Sequence, residues 1–339
     1  MTVLRKQNRI VIYEQNTDQV KFNITLVSEV QIISDRSTYT DTAKITFPNK
    51  LRSRSGAIDR INIGDRVDIY LGYFPRLIKE FTGFINYVGR DSPLVIELED
   101  HSFLLKRISL PATNFFNTTI REVIERFYDG ETNIVDADIG DIRIAENATL
   151  AKVLDLFKSK YGILSFFRDG VLNINGDLTT DNRARVYEVN VQKNVPIGTD
   201  NLQFQKNSDL SIISHGVSIQ RDGTKIELFA YYQDNVLNND IVVTDIKPIG
   251  VLNTLKVPNL SRSALEALIK KRLPLLFYTG VSGDISTFGY PSMRHGDTAQ
   301  IIDQRTPEKN GFYRINAVTK DFNNSVGYKQ KIKLGLKTR

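Results

Sequence analysis

One pattern of strands and turns occurs twice in this chain of 339 residues, and its two copies begin 232 residues apart, at Gly64 and Gly296. Each copy has a Gly-Asp pair, an alternating run, an Ile-Asn-x-Val segment and a second alternating run. The isoleucine of Ile-Asn follows Asp65 by 20 residues in the first copy and Asp297 by 18 in the second. We interpret the pattern as two related β domains within one chain, the alternative being a chance likeness between alternating sequences.

Glycine and aspartate mark the turns of both copies. Glycine adopts backbone conformations that are closed to other residues, and aspartate is common in turns. The residues that we expect to determine the turns are Gly64, Asp65, Gly83, Gly296, Asp297 and Gly311. We assign these six residues a role in folding and no role in binding.

Apolar and polar residues alternate along most of the first hundred residues, in runs such as 43–47 and 67–71. A period of two is typical of half-buried strands. Alternation returns after residue 183 and continues towards the C-terminus. The pattern therefore predicts an antiparallel β domain on each side of a different central region.

Two helices are predicted in this central region. One follows a capping box of Thr119 and Glu122, and the other extends over 150–161 and stops at Gly162. A hairpin with Asp-Gly at 169–170 comes next. These elements predict a small α/β domain with its own core.

A third helix is predicted over 261–273, where Ser263 and Glu266 form a capping box and Pro274 marks the end. The predicted fold class is mainly β with an α+β insert: two similar tube-like antiparallel β-barrel or sandwich domains plus a small α/β domain. The predicted limits are 1–107 for the first β domain, 108–182 for the α/β domain, and 183–339 for the second β domain, which includes helix 261–273.

The chain has no cysteine and three histidines, which excludes disulfide scaffolds, cysteine zinc sites, iron–sulfur centres and thiol nucleophiles. Its N-terminal residues are basic without the apolar run of a signal peptide, and no window approaches the length of a membrane-spanning helix. We expect a protein that is made and kept in a cytoplasm and does not insert into a membrane.

Positive charge is concentrated at the C-terminus. Residues 305–339 contain nine Lys and Arg against Glu308 and Asp321, a net charge of +7, so residues 1–304 carry −1 of the total of +6. Three of these lysines, at 329, 331 and 333, lie on one face of a predicted strand. Two interpretations are open. This face either contacts acidic groups of a neighbouring ring of subunits or lines a channel, or it is a strand face that is simply exposed to solvent. Interleaved aromatic residues typical of a nucleic-acid groove are missing, so no specific nucleic-acid binding is expected.

Candidate catalytic and metal-binding residues are few. His101 follows two acidic residues, but sequence neighbours point to opposite sides of a strand and nothing places a nucleophile near it. His215 and His295 are isolated from each other. Three aspartates, Asp136, Asp138 and Asp141, faintly resemble a calcium loop but lack the ligand spacing of one. We expect no catalytic, cofactor-binding or metal residues, no cofactor and no enzyme activity.

The order of the motifs resembles the bacteriophage late control D family, the baseplate hub proteins of contractile tails. From 81 to 107 the sequence has a glycine, a strand, a turn, a second strand, acidic residues and Leu-Leu-Lys, as that family does. In the C-terminal half, the segments 283–291, 294–297 and 327–335 follow helix 261–273 in that family's order and spacing. The resemblance spans most of the chain, and the hub part of type VI secretion spike proteins is related.

This resemblance implies a homotrimer whose six β domains form a pseudo-six-fold ring between the tail tube and the central spike. Its expected partners are a tail tube or tube-initiator protein, a central spike protein and other baseplate proteins. The expected location is the virion baseplate, or an injection particle, after synthesis in the bacterial host cytoplasm. Because the sequence ends four residues after Gly335, we expect the spike to be a separate polypeptide.

Two other functions stay open at this point. One is a tail-tip hub component of a long non-contractile tail, with adhesion or glycan contact. The other is a polysaccharide-cleaving tail enzyme, which needs a pair of carboxylates in a cleft that the sequence does not reveal.

Overall fold

A computed structural model describes residues 5–48, 60–89, 92–175, 185–196, 200–205, 212–233, 240–276, 280–323, 325 and 327–337. The strands of the N-terminal part are β1 (Lys6–Tyr13), β2 (Val20–Ile24), β3 (Glu29–Asp35), β4 (Thr42–Phe47), β5 (Arg66–Tyr73), β6 (Arg76–Gly89) and β7 (Leu94–Glu99). The central elements are α1 (Ser102–Leu105), β8 (Ser109–Leu110), β9 (Thr113–Thr119), α2 (Ile120–Glu125), β10 (Thr132–Ile134), β11 (Asp138–Ile144), β12 (Ala148–Thr149), α3 (Leu150–Tyr161), β13 (Ser165–Arg168) and β14 (Val171–Ile174).

The C-terminal elements are β15 (Val186–Asn190), β16 (Asp200–Gln205), β17 (Ile212–Ile219), β18 (Lys225–Tyr232), β19 (Ile241–Thr244), β20 (Val251–Pro258), α4 (Arg262–Leu276), β21 (Gly280–Phe288), β22 (Thr298–Ile302), β23 (Gly311–Asn323) and β24 (Gly327–Lys337). A short 3-10 turn covers Pro307–Lys309. The fold is mainly β, as the alternating runs predicted.

A sheet of thirteen strands contains both copies of the repeated pattern. Its order is β16-β21-β24-β23-β3-β4-β7-β6-β5-β1-β2, with β22 also paired to β23 and β15 to β22. The copies meet where β3 runs antiparallel to β23, with Asp35 opposite Ala317 and Glu29 opposite Asn323. The sequence does not indicate this pairing, which makes one continuous sheet of the two copies.

The two copies have the same register at the Ile-Asn segment of their central hairpin, and the second copy has a further irregularity between Tyr313 and Ile315. In the first copy Ile85 lies opposite Leu98, and in the second Ile315 lies opposite Leu334. The next residue, the asparagine of Ile-Asn, is a bulge in both copies, and pairing resumes after it. Because a slip of one residue would turn every side chain to the other face, an equal register places equivalent side chains in equivalent environments.

The copies differ at their first strand. Strand β1 runs antiparallel to β5, whereas β15 runs parallel to β22. Each copy also has a core of its own, although Phe322 and Tyr328 of the second copy are buried in the core of the first. The two copies are therefore most similar in the central hairpin and in the turns that flank it.

Helices α2 and α3 form as the sequence predicted. Thr119 accepts a hydrogen bond from the backbone N–H of Glu122, whose carboxylate accepts from the N–H of Thr119. Helix α3 ends at Gly162, which has a φ of +68°. The Asp-Gly turn at 169–170 joins β13 to β14.

The third helix differs from its prediction in three ways. Its N-terminal cap is Ser261, whose Oγ accepts from the N–H of Ala264 at 3.3 Å, where the sequence predicted Ser263. It continues through Pro274 to Leu276, because a proline near the last turn removes only one intrahelical hydrogen bond. It packs on β17 and β18 and shares a core with α2 and α3, whereas the predicted limits put it in the second β domain.

The sheet under α4 has the order β19-β18-β17-β20, and its apolar face completes the core of the central region. The predicted domain limits stay predictions, and the limit between residues 182 and 183 lies outside the described residues. Among the described residues, no helix is both long enough and apolar enough to cross a membrane.

Candidate functional site

The Gly-Asp turns of the two copies make the same backbone hydrogen bonds. The N–H of Gly64 donates to the carbonyl of Ile85 at 2.8 Å, and the N–H of Ile85 donates to the carbonyl of Asp65 at 3.0 Å. In the second copy the matching distances, between Gly296, Ile315 and Asp297, are 2.7 and 2.8 Å. Both glycines have positive φ, +94° and +86°, which a residue with a side chain adopts only with strain.

The two aspartates close their turns in the same way. Oδ2 of Asp65 accepts from the N–H of Asn62, and Oδ2 of Asp297 accepts from the N–H of Arg294, both at 2.9 Å. Both aspartates are buried. Lys21 also forms an ion pair with Asp65 at 2.8 Å. Their carboxylates serve the turn itself, in line with the folding role that the sequence predicted.

The other two glycines of the pattern are not equivalent. Gly83 lies opposite Val67, and a Cβ there would be 2.2 Å from the carbonyl oxygen of Glu99. The counterpart of Val67 is Ala299, which lies opposite Tyr313. Gly311 is two residues earlier, at the start of β23. Gly83 therefore lies within strand β6 and not in the turn that the sequence predicted, and Gly311 is not its counterpart.

A buried polar network holds the two copies together. Glu80 of β6 receives hydrogen bonds from Lys320 of β23, from Tyr328 of β24 at 2.8 Å and from Ser292 at 2.8 Å. The side chain of Glu80 is 0% exposed and that of Lys320 is 5% exposed. Burial lowers the pKa of Lys320, and Glu80 opposes that change. Burial and Glu80 both raise the pKa of Tyr328.

Next to this network lies a cavity of about 330 Å³, lined by both copies and by the β13–β14 hairpin. Its charged and titratable lining residues include Asp41, Asp100, His101, Arg168, His295 and Lys320. These residues come from five separate segments of the chain. Their convergence makes the junction of the two copies a polar cavity.

Protonation in this junction cavity is controlled by burial. Burial raises the pKa of both Asp41 and Asp100. Burial, together with the neighbouring Arg168 guanidinium, lowers the pKa of His295 to about 3, so the imidazole is neutral at pH 7. Its Nε2 is 3.8 Å from Oδ2 of Asp41, which accepts a hydrogen bond from Ser34 at 2.6 Å.

Two of the three histidines share the junction cavity. His101 and His295 line the same cavity, although they are 194 positions apart in sequence. His101 contacts Phe84 and Phe167, and burial lowers its pKa. No spacing signal could have found this pair, because the loop after β7 and the turn before β22 meet only in the folded sheet.

His215 lies apart from the other two. Its ring stacks on Phe229, and its nitrogens are 2.9 Å from Thr254 Oγ1 and 2.8 Å from Glu227. It is a packed residue of β17.

The aspartates that faintly resembled a calcium loop are separated by their partners. Asp141 accepts from Arg221 at 2.8 and 2.9 Å, and this guanidinium lowers the pKa of the carboxyl. Asp136 accepts hydrogen bonds from the backbone N–H groups of Arg121 and Ala137. Across the described residues, no group of three or more acidic or histidine side chains is arranged to hold a metal ion.

Lysines alternate with buried residues along β24, as predicted. Lys331 and Lys333 are exposed, while Gln330, Ile332 and Leu334 are buried. Lys331 pairs with Asp284 of β21 at 2.7 Å, which neutralises part of the face. The remaining positive charge is carried by Lys329 and Lys333.

The large sheet ends in three strands that have a partner on one side only within the described residues, β2, β15 and β16. Free strand edges expose unpaired backbone groups and tend to bind further strands. At the β2 edge, Val20 is 53% exposed. These edges are candidate sites of subunit contact.

Known structures of tail proteins have the same fold. A tail protein of Neisseria meningitidis MC58 is similar with a TM-score of 0.65 at 13% identity, over 97% of this chain and 96% of that one. A 43 kDa tail protein of prophage MuSo2 from Shewanella oneidensis gives 0.56 at 13%, over 96% and 97%. A type VI secretion component of Escherichia coli, itself similar to the phage T4 tail proteins gp27 and gp5, gives 0.56 at 11%, over 97% and 77%.

No protein-family model and no curated protein matches this sequence. The likeness to solved structures concerns the fold, and at that level it confirms the resemblance drawn from the motifs. The chain has the fold of phage tail proteins, which a type VI secretion component shares.

Proposed function

We propose that this chain is a structural baseplate hub of the late control D type, in a contractile phage tail or a phage-derived injection particle. It adapts the six-fold tail tube to the three-fold central spike, and it works by shape and by burial of interfaces, without catalysis. Its partners are two further copies of itself, a tail tube or tube-initiator protein, a separate spike protein and other baseplate proteins.

The equal register of the two repeats carries this proposal. A chain with two equivalent hairpins, in which Ile85 and Ile315 occupy matching positions, supplies two similar units for a ring. Three copies around one axis then supply six. Such a ring matches a six-fold tube on one side while its true symmetry stays three-fold for the spike on the other.

The sheet edges support the same assembly. Strands β2, β15 and β16 end the large sheet, and neighbouring subunits would cover them in a closed ring. Covering an edge by a partner is one of the ways in which β proteins avoid uncontrolled association. The resulting interfaces would be large and obligate.

The buried Glu80–Lys320 network also fits a ring component. It sets the angle between the two copies through the pairing of β3 with β23 and through the side chains of Ser292 and Tyr328. A ring closes only when this angle is the same in every subunit. A polar network with few alternative arrangements favours one angle.

The native mass of the purified protein tests the proposal first. A species near three times 38.5 kDa, alone or after addition of the spike protein of the same gene cluster, is the expected result. Electron microscopy of that species should show six similar β units around the axis. A chain that stays monomeric and binds neither tube nor spike protein contradicts the proposal.

The same binding experiment separates the hub from the non-contractile alternative. A hub binds beneath the tail-tube ring, whereas a tail-tip component binds a distal tail protein and contacts glycans. Pull-downs with the tube protein and with the distal tail protein, at equal concentrations, distinguish the two functions.

A further inference from the structure

A second cavity, of about 310 Å³, lies in the central region, away from the junction of the repeats. Its walls are the C-terminal end of helix α3, one face of helix α4 and the segment that joins β10 to β11. Ile139, Ile163 and Leu268 make much of the lining apolar. A volume of about 300 Å³ is at the lower end of pockets that bind small ligands.

Two polar atoms at this pocket have no hydrogen-bond partner. They are the phenol oxygen of Tyr161 and Nη1 of Arg272. Tyr161 is 3% exposed, so it is largely removed from bulk water. Buried polar groups are nearly always paired, because an unpaired group loses its hydration without compensation. Both atoms can donate a hydrogen bond, so the missing partner is an acceptor.

The charge of Arg272 is also uncompensated. Its Nη2 donates to the side-chain oxygen of Asn253, a neutral group, and it forms no ion pair with any described residue. Burial alone lowers the pKa of this guanidinium. A half-buried cation without an anion is costly, which favours an anionic acceptor.

The other charged residues of the lining are satisfied or solvated. Lys271 donates to the carbonyl of Asn175 at 3.2 Å. Asp136 accepts from the backbone of Arg121, and Asp138 is exposed at the rim. The unpaired donors are therefore those of Tyr161 and Arg272.

We propose that this pocket binds a carboxylate carried on a small apolar group, with Arg272 and Tyr161 donating to the carboxylate and Leu268 contacting the apolar part. Such a group occurs in small organic acids and at the C-terminus of a chain that ends in an apolar residue. The site does not depend on the hub function, since none of its residues belongs to the sheet of the repeats.

Titration of the full-length protein with phenylpropanoate and with the uncharged phenylpropanamide tests the charge requirement. By calorimetry and ligand-observed NMR, we expect the acid to bind at least about tenfold more tightly, since hydrogen bonds to charged groups are the stronger ones. A peptide ending in Phe with a free carboxylate is compared with its amidated form. Binding of the peptide but not of phenylpropanoate identifies a chain terminus as the source, and the reverse identifies a small acid.

Variants test the assigned residues. Arg272→Met should weaken binding of the acid at least about tenfold and leave the amide unchanged, whereas Arg262→Met, on the exposed side of the same helix, should change neither. Tyr161→Phe should weaken binding severalfold while keeping the ring in the core. Ala267→Phe adds a side chain at an exposed position of the pocket rim and should block both acids without unfolding the protein.

Equal affinity for acid and amide, or full binding by Arg272→Met with an unchanged melting temperature, overturns the proposal. Lack of binding by the unmodified protein at millimolar acid overturns it as well. If Arg272→Met does not fold, Tyr161→Phe and Ala267→Phe are compared with the unmodified protein instead. Weaker binding of the acid by both variants supports the proposal, and full binding by both overturns it.

Discussion

Glu80 and Lys320 form an ion pair across the junction of the two β repeats, with both side chains almost fully removed from solvent. They are 240 positions apart in sequence. Tyr328 also donates a hydrogen bond to Glu80, and Ser292 accepts one from Lys320. A buried ion pair with its remaining bonds satisfied holds one arrangement of the elements it joins, although its net contribution to stability is small.

Removal of one partner of this pair should destabilise the protein strongly. Lys320→Met leaves the carboxylate of Glu80 buried without a counter-charge, and we expect a loss of about 3–5 kcal/mol in the free energy of unfolding. Denaturant titration followed by circular dichroism measures the change.

Two further variants control that experiment. The double variant E80Q/K320M removes both charges and should recover much of the loss. Lys331→Met breaks an exposed pair with Asp284 and should cost less than about 1 kcal/mol. A cost for Lys320→Met as small as that of Lys331→Met would show that the junction pair is not needed to hold the repeats.

The glycine of the first Gly-Asp turn should resist replacement. Gly64→Ala puts a side chain on a backbone with φ of +94° and about 3.0 Å from the side chain of Gln15, and we expect a loss of about 1–2 kcal/mol. Gly64→Asn is the matched control, since asparagine tolerates this conformation better. Thermal unfolding compares the two, and equal melting temperatures would refute the requirement for a left-handed residue.

The buried carboxyl of Asp41 should make stability fall as pH rises. Its folded pKa is raised by burial, so the folded state binds the proton more tightly than the unfolded chain does, where the pKa is about 3.9. The stabilisation is therefore complete below about pH 4 and is lost as pH rises to the folded pKa. Asp41→Asn should remove this slope, and its stability relative to the unmodified protein should increase by more than about 1.4 kcal/mol between pH 5 and pH 9.

Denaturation series at fixed pH values measure that difference. Asp169→Asn, at an exposed position on the rim of the same cavity, should show no such trend. Parallel pH curves for Asp41→Asn and the unmodified protein would refute the assigned protonation.

The β2 edge should contribute to assembly under the proposed function. Val20→Lys introduces a charge at a half-exposed edge position and should weaken trimer formation at least about tenfold, because an added lysine blocks strand-edge association. Val135→Lys changes an equally exposed residue far from the edge and should leave the native mass unchanged. Light scattering over a concentration series measures both, and equal association would exclude this edge from the interface.

The lysine face of β24 should contribute to binding of the tube protein under the proposed function. Lys329→Glu with Lys333→Glu keeps the Lys331–Asp284 pair and reverses the unpaired charges, so binding of the tube protein should fall at least about tenfold at low salt and less at high salt. Reversal of Lys152 and Lys158 on helix α3 applies the same charge change elsewhere. Unchanged binding of the tube protein by the first variant would show that the lysine face is only exposed to solvent.

Much of the local structure could be predicted from the sequence. Alternation located the strands, and the cap of Thr119 and the stop at Gly162 were correct because hydrogen bonds within a few residues determine both. Helix α4 shows the limit of such signals. Ser263 has the spacing of a capping box, yet Ser261 makes the bond, and Pro274 does not end the helix.

The sequence by itself determined the repeated hairpins, their Gly-Asp turns and the alternating lysine face, since each depends on bonds and periodicities within a short segment. Only the tertiary structure decided that β3 pairs with β23, that α4 shares a core with α3, and that Glu80 meets Lys320 beside His101 and His295. These contacts join residues far apart in the chain. Which of many possible pairings forms depends on the packing and burial of the whole sheet, and no short pattern carries that information.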